Sequence, residues 1–389
     1  MPAPAKPYPP LARLCAAAAR GRLSCALLFL AVLLCARPAT AAADDSIFVY
    51  DVFAGAPTCA EIEARISSLE LRPTVLLSIE QGREFELASA DGIERVRCAL
   101  HQLRPLFHKH TVKLLLLQDP GYLDDLAEAT NRMRLVAAFA RDNPGVAGVV
   151  VDVEPYAHPD WECGTVEQHR QLVARFLEVL RQSRAAVQPL PLEAVVPWWS
   201  ARLDEVPEFQ PPQVMATVSG VFVMLYSDEG GPVWGTTSER IAKNAENSSS
   251  FFRAGSHVHL LMARYESRSG PDLEQDLRRL RKQYAGKPGF AGVGVFHAGN
   301  QYDAPLVRML SSAVLDSQGM GLPDVTITSA YKTVHSSPCG NFSLRGMPGE
   351  NLTLVVSKPG FRDVTVQVTL KPPGRATEVP PIRLEPVTP

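Results

Sequence analysis

The chain has 389 residues, with 39 Lys and Arg against 41 Asp and Glu, for a formal net charge of -2. That length suits one large domain and a small one. The near-neutral balance, with no basic block beyond the N-terminus, argues against a nucleic-acid partner.

Residues 1–43 read as a secretory signal peptide. Lys6, Arg13, Arg20 and Arg22 precede the first acid, Asp44, and an apolar run extends from Cys25 to Ala36. Ala39-Thr40-Ala41 and Ala41-Ala42-Ala43 each fit a small-x-small cleavage site. The run is shorter than the ~20 residues a bilayer span needs. No stable membrane span is therefore expected after cleavage, and the protein is expected to be secreted or periplasmic; an uncleaved anchor is the alternative. Cys15, Cys25 and Cys35 leave with the signal, and Cys59, Cys98, Cys163 and Cys339 remain. In an exported chain these four allow two disulfides, in any of three connectivities. No CxxC pair offers a thiolate zinc site. Asn247-Ser248-Ser249, Asn341-Phe342-Ser343 and Asn351-Leu352-Thr353 are glycosylation sequons in a glycosylating host.

Residues 46–317 alternate short apolar runs with longer amphipathic ones. Strands are expected at Ile47–Tyr50, Thr74–Ile79, Lys113–Leu117, Val146–Val153, Leu192–Val196, Val218–Leu225, His257–Ala263 and Ala291–Phe296. Helices are expected between them, at Gly92–Phe107, Asp124–Arg141, Val166–Ala186, Ser238–Phe252 and Asp272–Tyr284. In the third of these, Val173, Phe176, Leu177 and Leu180 form one stripe while Arg175, Glu178 and Arg181 lie away from it. Near-continuous Val/Leu/Ile strands imply burial on both faces, as in a parallel sheet. Eight such β-then-α units predict the α/β class and a (β/α)8 TIM barrel, whose usual size is about 250 residues. A doubly wound open sheet is the alternative; the count of eight and the lack of GxGxxG after the first strand weigh against it.

After Ser317 the helical period stops. Pro323–Ser329, Asn341–Arg345, Leu352–Lys358 and Val364–Leu370 alternate with the two-residue period of strands, punctuated by Gly, Pro and Asn. Residues 320–389 therefore read as a small all-β sandwich.

In a TIM barrel the functional groups stand at the carboxyl ends of the strands. The most informative of these ends is Val149-Val150-Val151-Asp152-Val153-Glu154. Residues two apart on a strand share a face, so Asp152 and Glu154 project side by side. Neighbouring carboxylates cannot both ionise freely, so one holds a proton near neutrality, as acid catalysis requires. The other strand ends add Asp51, Glu80, Gln118, Asp119, Trp198, Trp199, Tyr226, Asp228, Arg264, Tyr265, Glu266, His297 and Asn300. Carboxylates with aromatic rings suit a glycan, whose sugars stack on rings and bond to carboxylates. Tyr156, Trp161, Trp198, Trp199 and Trp234 are the stacking candidates. No metal site or cofactor is expected: His257-Val258-His259 starts a strand, at the wrong end for barrel chemistry, and no HExxH occurs.

Two resemblances follow. Ala147-Gly148-Val149-Val150-Val151-Asp152-Val153-Glu154 resembles the Asp-Gly-x-Asp-x-Asp-x-Glu strand of chitinase-like family 18 glycoside hydrolases. Gly148, Asp152 and Glu154 match, while Ala147 and Val150 replace the first two aspartates. Met224-Leu225-Tyr226-Ser227-Asp228 is similar to that family's Met-x-Tyr-Asp, with the acid shifted by one; His297 stands near its usual Trp. The resemblance implies Glu154 as the general acid, Asp152 orienting a substrate acetamido nucleophile, and Tyr226 assisting. It also implies a weakened relay, because Val150 lacks a carboxylate. A second enzymatic reading takes Glu154 as acid/base and Glu266, after the seventh strand, as nucleophile of a retaining glycosidase. The remaining class is a secreted, non-catalytic carbohydrate-binding or adhesion protein on a barrel scaffold. In the C-terminal region, Gly340-Asn341-Phe342-Ser343-Leu344, Gly349, Val355 and Lys358-Pro359-Gly360-Phe361 resemble carboxypeptidase-regulatory-like domains, which implies an accessory module.

Overall fold

The computed structural model describes residues 45–387 apart from 51, 70, 82–83, 105–110, 227–236, 254, 264–269, 298–306, 330–332, 347–350 and 370–376. Eight parallel strands close into a barrel: β1 (Ser46–Val49), β2 (Thr74–Ser78), β3 (Thr111–Leu116), β4 (Val146–Val151), β5 (Leu192–Pro197), β6 (Gly220–Met224), β7 (Val258–Ala263) and β8 (Phe290–His297). Each pairs with its sequence neighbour, and β1 also pairs with β8, with Phe48 opposite both Leu76 and Phe296. The barrel therefore has no free edge.

Helices α1 (Cys59–Ser67), α2 (Ala90–Leu103), α3 (Leu126–Asp142), α4 (Val166–Val187), α5 (Pro211–Thr217), α6 (Thr237–Asn247) and α7 (Gly270–Tyr284) connect the strands. Helix α4 starts at a capping box, with the Thr165 side chain accepting from the Gln168 backbone and Gln168 reaching back. It buries Leu172, Val173, Phe176, Val179 and Leu180, the expected stripe displaced slightly around the helix. The long helix expected over Ser238–Phe252 stops at Asn247 and tightens into a 3-10 turn, Ser248–Phe251. The Ser248 hydroxyl donates to the Asn244 carbonyl at 2.8 Å, the competition with helical bonding that serine runs invite.

Alternate strand residues divide into two apolar layers. Phe48, Leu76, Leu115, Val150, Val195, Phe222, Met224 and Leu261 fill the barrel interior. The outward set, including Val75, Leu77, Leu114, Val149, Val151, Val196 and Leu260, packs under the helices. Burial on both sides accounts for the continuous apolar runs of the sequence.

Beyond the barrel, β9 (Val307–Leu315) pairs antiparallel with β12 (Asn341–Gly346) and parallel with the short segments Thr377–Glu378 and Ile382–Arg383. A second sheet is ordered β11 (Thr333–His335), β10 (Thr326–Thr328), β13 (Asn351–Ser357), β14 (Val364–Thr369). Val314, Phe342 and Leu344 from the first sheet meet Ile327, Leu352, Leu354 and Val356 from the second in one separate core. The all-β region thus begins at Val307, earlier than the residue 320 expected from sequence. Its first strand alternates weakly and carries no turn signal before it. Of the three possible cysteine connectivities, the pairs are Cys59–Cys98, which ties α1 to α2, and Cys163–Cys339, which ties the segment after β4 to the turn before β12. Among the described residues, no helix is long and apolar enough to cross a membrane.

Candidate active site at the carboxyl end of β4

Strand β4 ends two residues earlier than its apolar run. Asp152 still donates its backbone N–H to the Leu116 carbonyl at 3.1 Å, but Pro155, which has no N–H, opens a 3-10 turn over Pro155–Ala157. Asp152 follows the interior residue Val150 by two positions, so it faces the same side, directly beyond the apolar plug. The turn is anchored from behind. His158 is buried; its Nε2 lies 3.0 Å from Asp124 Oδ2, and its Nδ1 accepts from the Asp160 N–H at 3.2 Å.

Each carboxylate has its own phenol. Tyr50, just past the end of β1, donates to Asp152 Oδ2 at 3.3 Å. Tyr156, on the 3-10 turn, donates to Glu154 Oε1. Asp152 Oδ1 is fully enclosed and has no hydrogen-bond partner among the described residues. Burial, and then the charge of Glu154, push the Asp152 carboxyl well above the usual carboxylate range, while the Tyr50 hydrogen bond pulls it back in part. The Tyr156 hydroxyl is also raised, by burial first and the Glu154 charge second, and so remains a neutral donor. The arrangement can hold one proton between two carboxyl groups, with a hydroxyl on each to orient it.

The aromatic residues fall into two groups. Phe296 of β8 lies 5.0 Å from the Tyr50 ring and 5.4 Å from Tyr226, centroid to centroid. These three form an apolar wall above the plug. Trp199 sits behind Tyr156, with edge contacts to Tyr156 at 5.0 Å and Phe209 at 5.9 Å. Trp161 stacks on His169 at 4.3 Å and also meets Phe209, which packs on Phe176 of α4. Trp161, expected to stack on sugar, therefore has one face covered by protein. Trp198 and Trp199 are half-buried against the outer core.

Glu80 lies in a different environment. Its side chain is fully enclosed and paired with Arg132. Its Oε1 also accepts from the Tyr122 hydroxyl at 2.8 Å and its Oε2 from the Gln118 backbone N–H at 2.8 Å. The Arg132 guanidinium rests 4.9 Å from the Phe85 ring centroid and 5.0 Å from that of Tyr122. Burial raises the Glu80 carboxyl despite these donors. These bonds tie this carboxylate into the framework that joins the loops after β2 and β3 to α3. Asp51, Asp228, Trp234, Arg264, Tyr265 and Glu266 lie outside the described residues, as does the His297 side chain, although the His297 backbone ends β8. Among described residues the structure thus brings together Asp152, Glu154, Tyr156 and Tyr226, and adds Tyr50 and Phe296. Their positions two residues beyond Phe48 and Gly294 were the available signal.

No family model matches the sequence, and no curated protein does. Among solved structures, a GH18 chitinase from Pseudoalteromonas aurantia aligns at 12% identity over 65% of this chain and 93% of its own, with a TM-score of 0.42. The exo-beta-1,4-mannosidase Op5Man5 from Opitutaceae bacterium strain TAV5 aligns at 14% identity over 68% of this chain, with a TM-score of 0.46; the chain spans 53% of that structure. GH5_18 from Streptomyces cattleya, in complex with GlcNAc, aligns at 13% identity over 62% of this chain and 65% of its own, with a TM-score of 0.43.

Proposed function

We propose that this chain is a secreted glycoside hydrolase acting on a polysaccharide or glycan, with Glu154 as the general acid. The observation that carries the reading is the carboxyl pair at the end of β4: Asp152, buried and raised in pKa beside Glu154, with Tyr50 and Tyr156 donating to one carboxylate each. The pair retains one proton near neutral pH. Glu154 delivers that proton to the glycosidic oxygen as the bond from the anomeric carbon breaks and the leaving sugar departs as an alcohol. Once that proton has left, both carboxylates are anionic, and Asp152, with Tyr50 bonded to it, faces the positive charge developing at the anomeric carbon. On the family 18 resemblance, the incoming group is the substrate's own acetamido oxygen, which Asp152 orients. Tyr226 and Phe296 offer apolar surface to the sugar. Two disulfides suit export to an oxidising compartment.

One observation favours a second reading, a secreted glycan-binding protein without catalysis. Val150 is fully buried in the apolar plug at the position where the resemblance has a relay carboxylate. The experiment is hydrolysis of chitin, peptidoglycan, N-acetylated and neutral glycans by the native protein and by Glu154→Gln, which keeps the shape but cannot protonate. Hydrolysis lost in Glu154→Gln supports the acid role, and hydrolysis that survives it refutes that role. Glycan binding without hydrolysis in either protein establishes the second reading.

A further inference from the structure

The amino-terminal end of the barrel interior carries a polar layer that sugar chemistry at the other end does not use. Lys113 of β3, Glu193 of β5 and His259 of β7 are buried there. The His259 ring stacks on Phe222, a residue of the interior plug, at 4.5 Å, and Lys113 Nζ lies 5.6 Å from the same ring's centroid. Glu193 divides its two oxygens. Oε2 pairs with Lys113, and Oε1 accepts from His257 Nδ1 at 2.9 Å. His259 is 1% exposed, yet among the described residues neither of its ring nitrogens has a hydrogen-bond partner. Two orphan nitrogens on one buried imidazole call for a ligand.

The space in front of Glu193 Oε1 is kept open by glycine. A Cβ at Gly220 would lie 3.1 Å from that oxygen and 2.6 Å from the His257 carbonyl oxygen. One ligand atom each from Glu193, His257 and His259 lie within 4.8 Å of one another. We propose that Glu193, His257 and His259 form a binding site for a divalent cation of the zinc class at the amino-terminal end of the barrel.

The chemistry fits in four respects. Two imidazoles and a carboxylate are an established zinc donor set, with a fourth position left for water. Bonds of about 2.0–2.1 Å in a tetrahedron put neighbouring ligand atoms about 3.4 Å apart, so the contact between His257 Nδ1 and Glu193 Oε1 needs to open only slightly. Lys113 on the other oxygen supplies the outer hydrogen bond that ligating carboxylates keep. His257 is 51% exposed at the rim, which gives the ion an entry path. The end of the barrel opposite the catalytic pair is where a stabilising role belongs.

The test titrates the full-length chain, stripped of metal by a chelator, with Zn2+ in a calorimeter and in thermal unfolding. One zinc per chain is expected, with a Tm that climbs as free zinc rises above its Kd. His257→Ala takes one hydrogen-bond partner from the buried Glu193 carboxylate, so it should lower the metal-free Tm modestly, and zinc affinity is the deciding readout. The substitution should weaken zinc binding by more than the roughly 10–100-fold that loss of an outer hydrogen-bond partner produces. His259→Phe keeps the stack on Phe222 and should abolish binding. Absence of saturable zinc binding, or binding of native strength in both variants, overturns the proposal.

Discussion

Replacing Glu80 by alanine distinguishes a framework carboxylate from a sugar ligand. Three donors converge on this side chain: the Arg132 guanidinium, the Tyr122 hydroxyl and the Gln118 backbone N–H. Removing one partner of a buried ion pair costs about 3–5 kcal/mol, because the remaining charge stays buried. Arg132 keeps some compensation. Glu128, on a half-exposed side chain, still bonds its Nε at 2.7 Å, and the Phe85 and Tyr122 rings still lie about it. Against that, the Tyr122 hydroxyl and the Gln118 N–H lose their acceptors, at about 1–3 kcal/mol for each group left unpaired in the interior. Together, with part of the Arg132 charge compensated by Glu128, these give a loss of at least about 4 kcal/mol for Glu80→Ala. The double variant Glu80→Leu with Arg132→Leu removes both charges and should recover at least about 2 kcal/mol of it. Urea unfolding followed by circular dichroism measures both. Glycan binding per folded molecule should match the native protein. A Glu80→Ala loss below about 1 kcal/mol, or a folded variant that no longer binds glycan, refutes the framework assignment.

The carboxyl pair yields a pH prediction. The folded-state pKa of Asp152 is raised, so the stability it contributes is fully present below the ordinary carboxylate range and declines as pH rises through its raised value. Asp152→Asn, which cannot ionise, should therefore gain about 1 kcal/mol at pH 8 and nothing at pH 3, while losing hydrolysis; equal stability change at both pH values in urea unfolding contradicts the assignment. Tyr156→Phe removes the donor to Glu154 and should lower kcat on the active glycan on the order of tenfold or more, the effect of one hydrogen bond to a charged group; an unchanged kcat would detach Tyr156 from the acid. Cys163→Ser with Cys339→Ser opens a tie between residues 176 positions apart and should cost about 2–5 kcal/mol, read as a lower Tm than the native protein under non-reducing conditions.

The barrel was legible because its signal is local. Each barrel strand is a short apolar run bounded by polar residues, and every expected barrel strand lies within two residues of the observed one at either end. Asp152 and Glu154 were legible for the same reason, since a spacing of two on a strand fixes the shared face. Contacts that join distant segments were hidden. Tyr50 reaches Asp152 across 102 positions and Arg132 reaches Glu80 across 52, so a strand-end glutamate looks the same in sequence whether it meets an arginine or a sugar. The His-Val-His run shows the converse. Its location at the start of β7 correctly separates it from the β4 pair, but its third donor, Glu193, lies 64 positions away from His257 inside an otherwise apolar strand. A charge in such a strand is costly unless it is paired. An acid interrupting an apolar barrel strand is therefore itself a signal that partners converge there, and the sequence offers Lys113, inside the apolar run of β3, as the matching interruption.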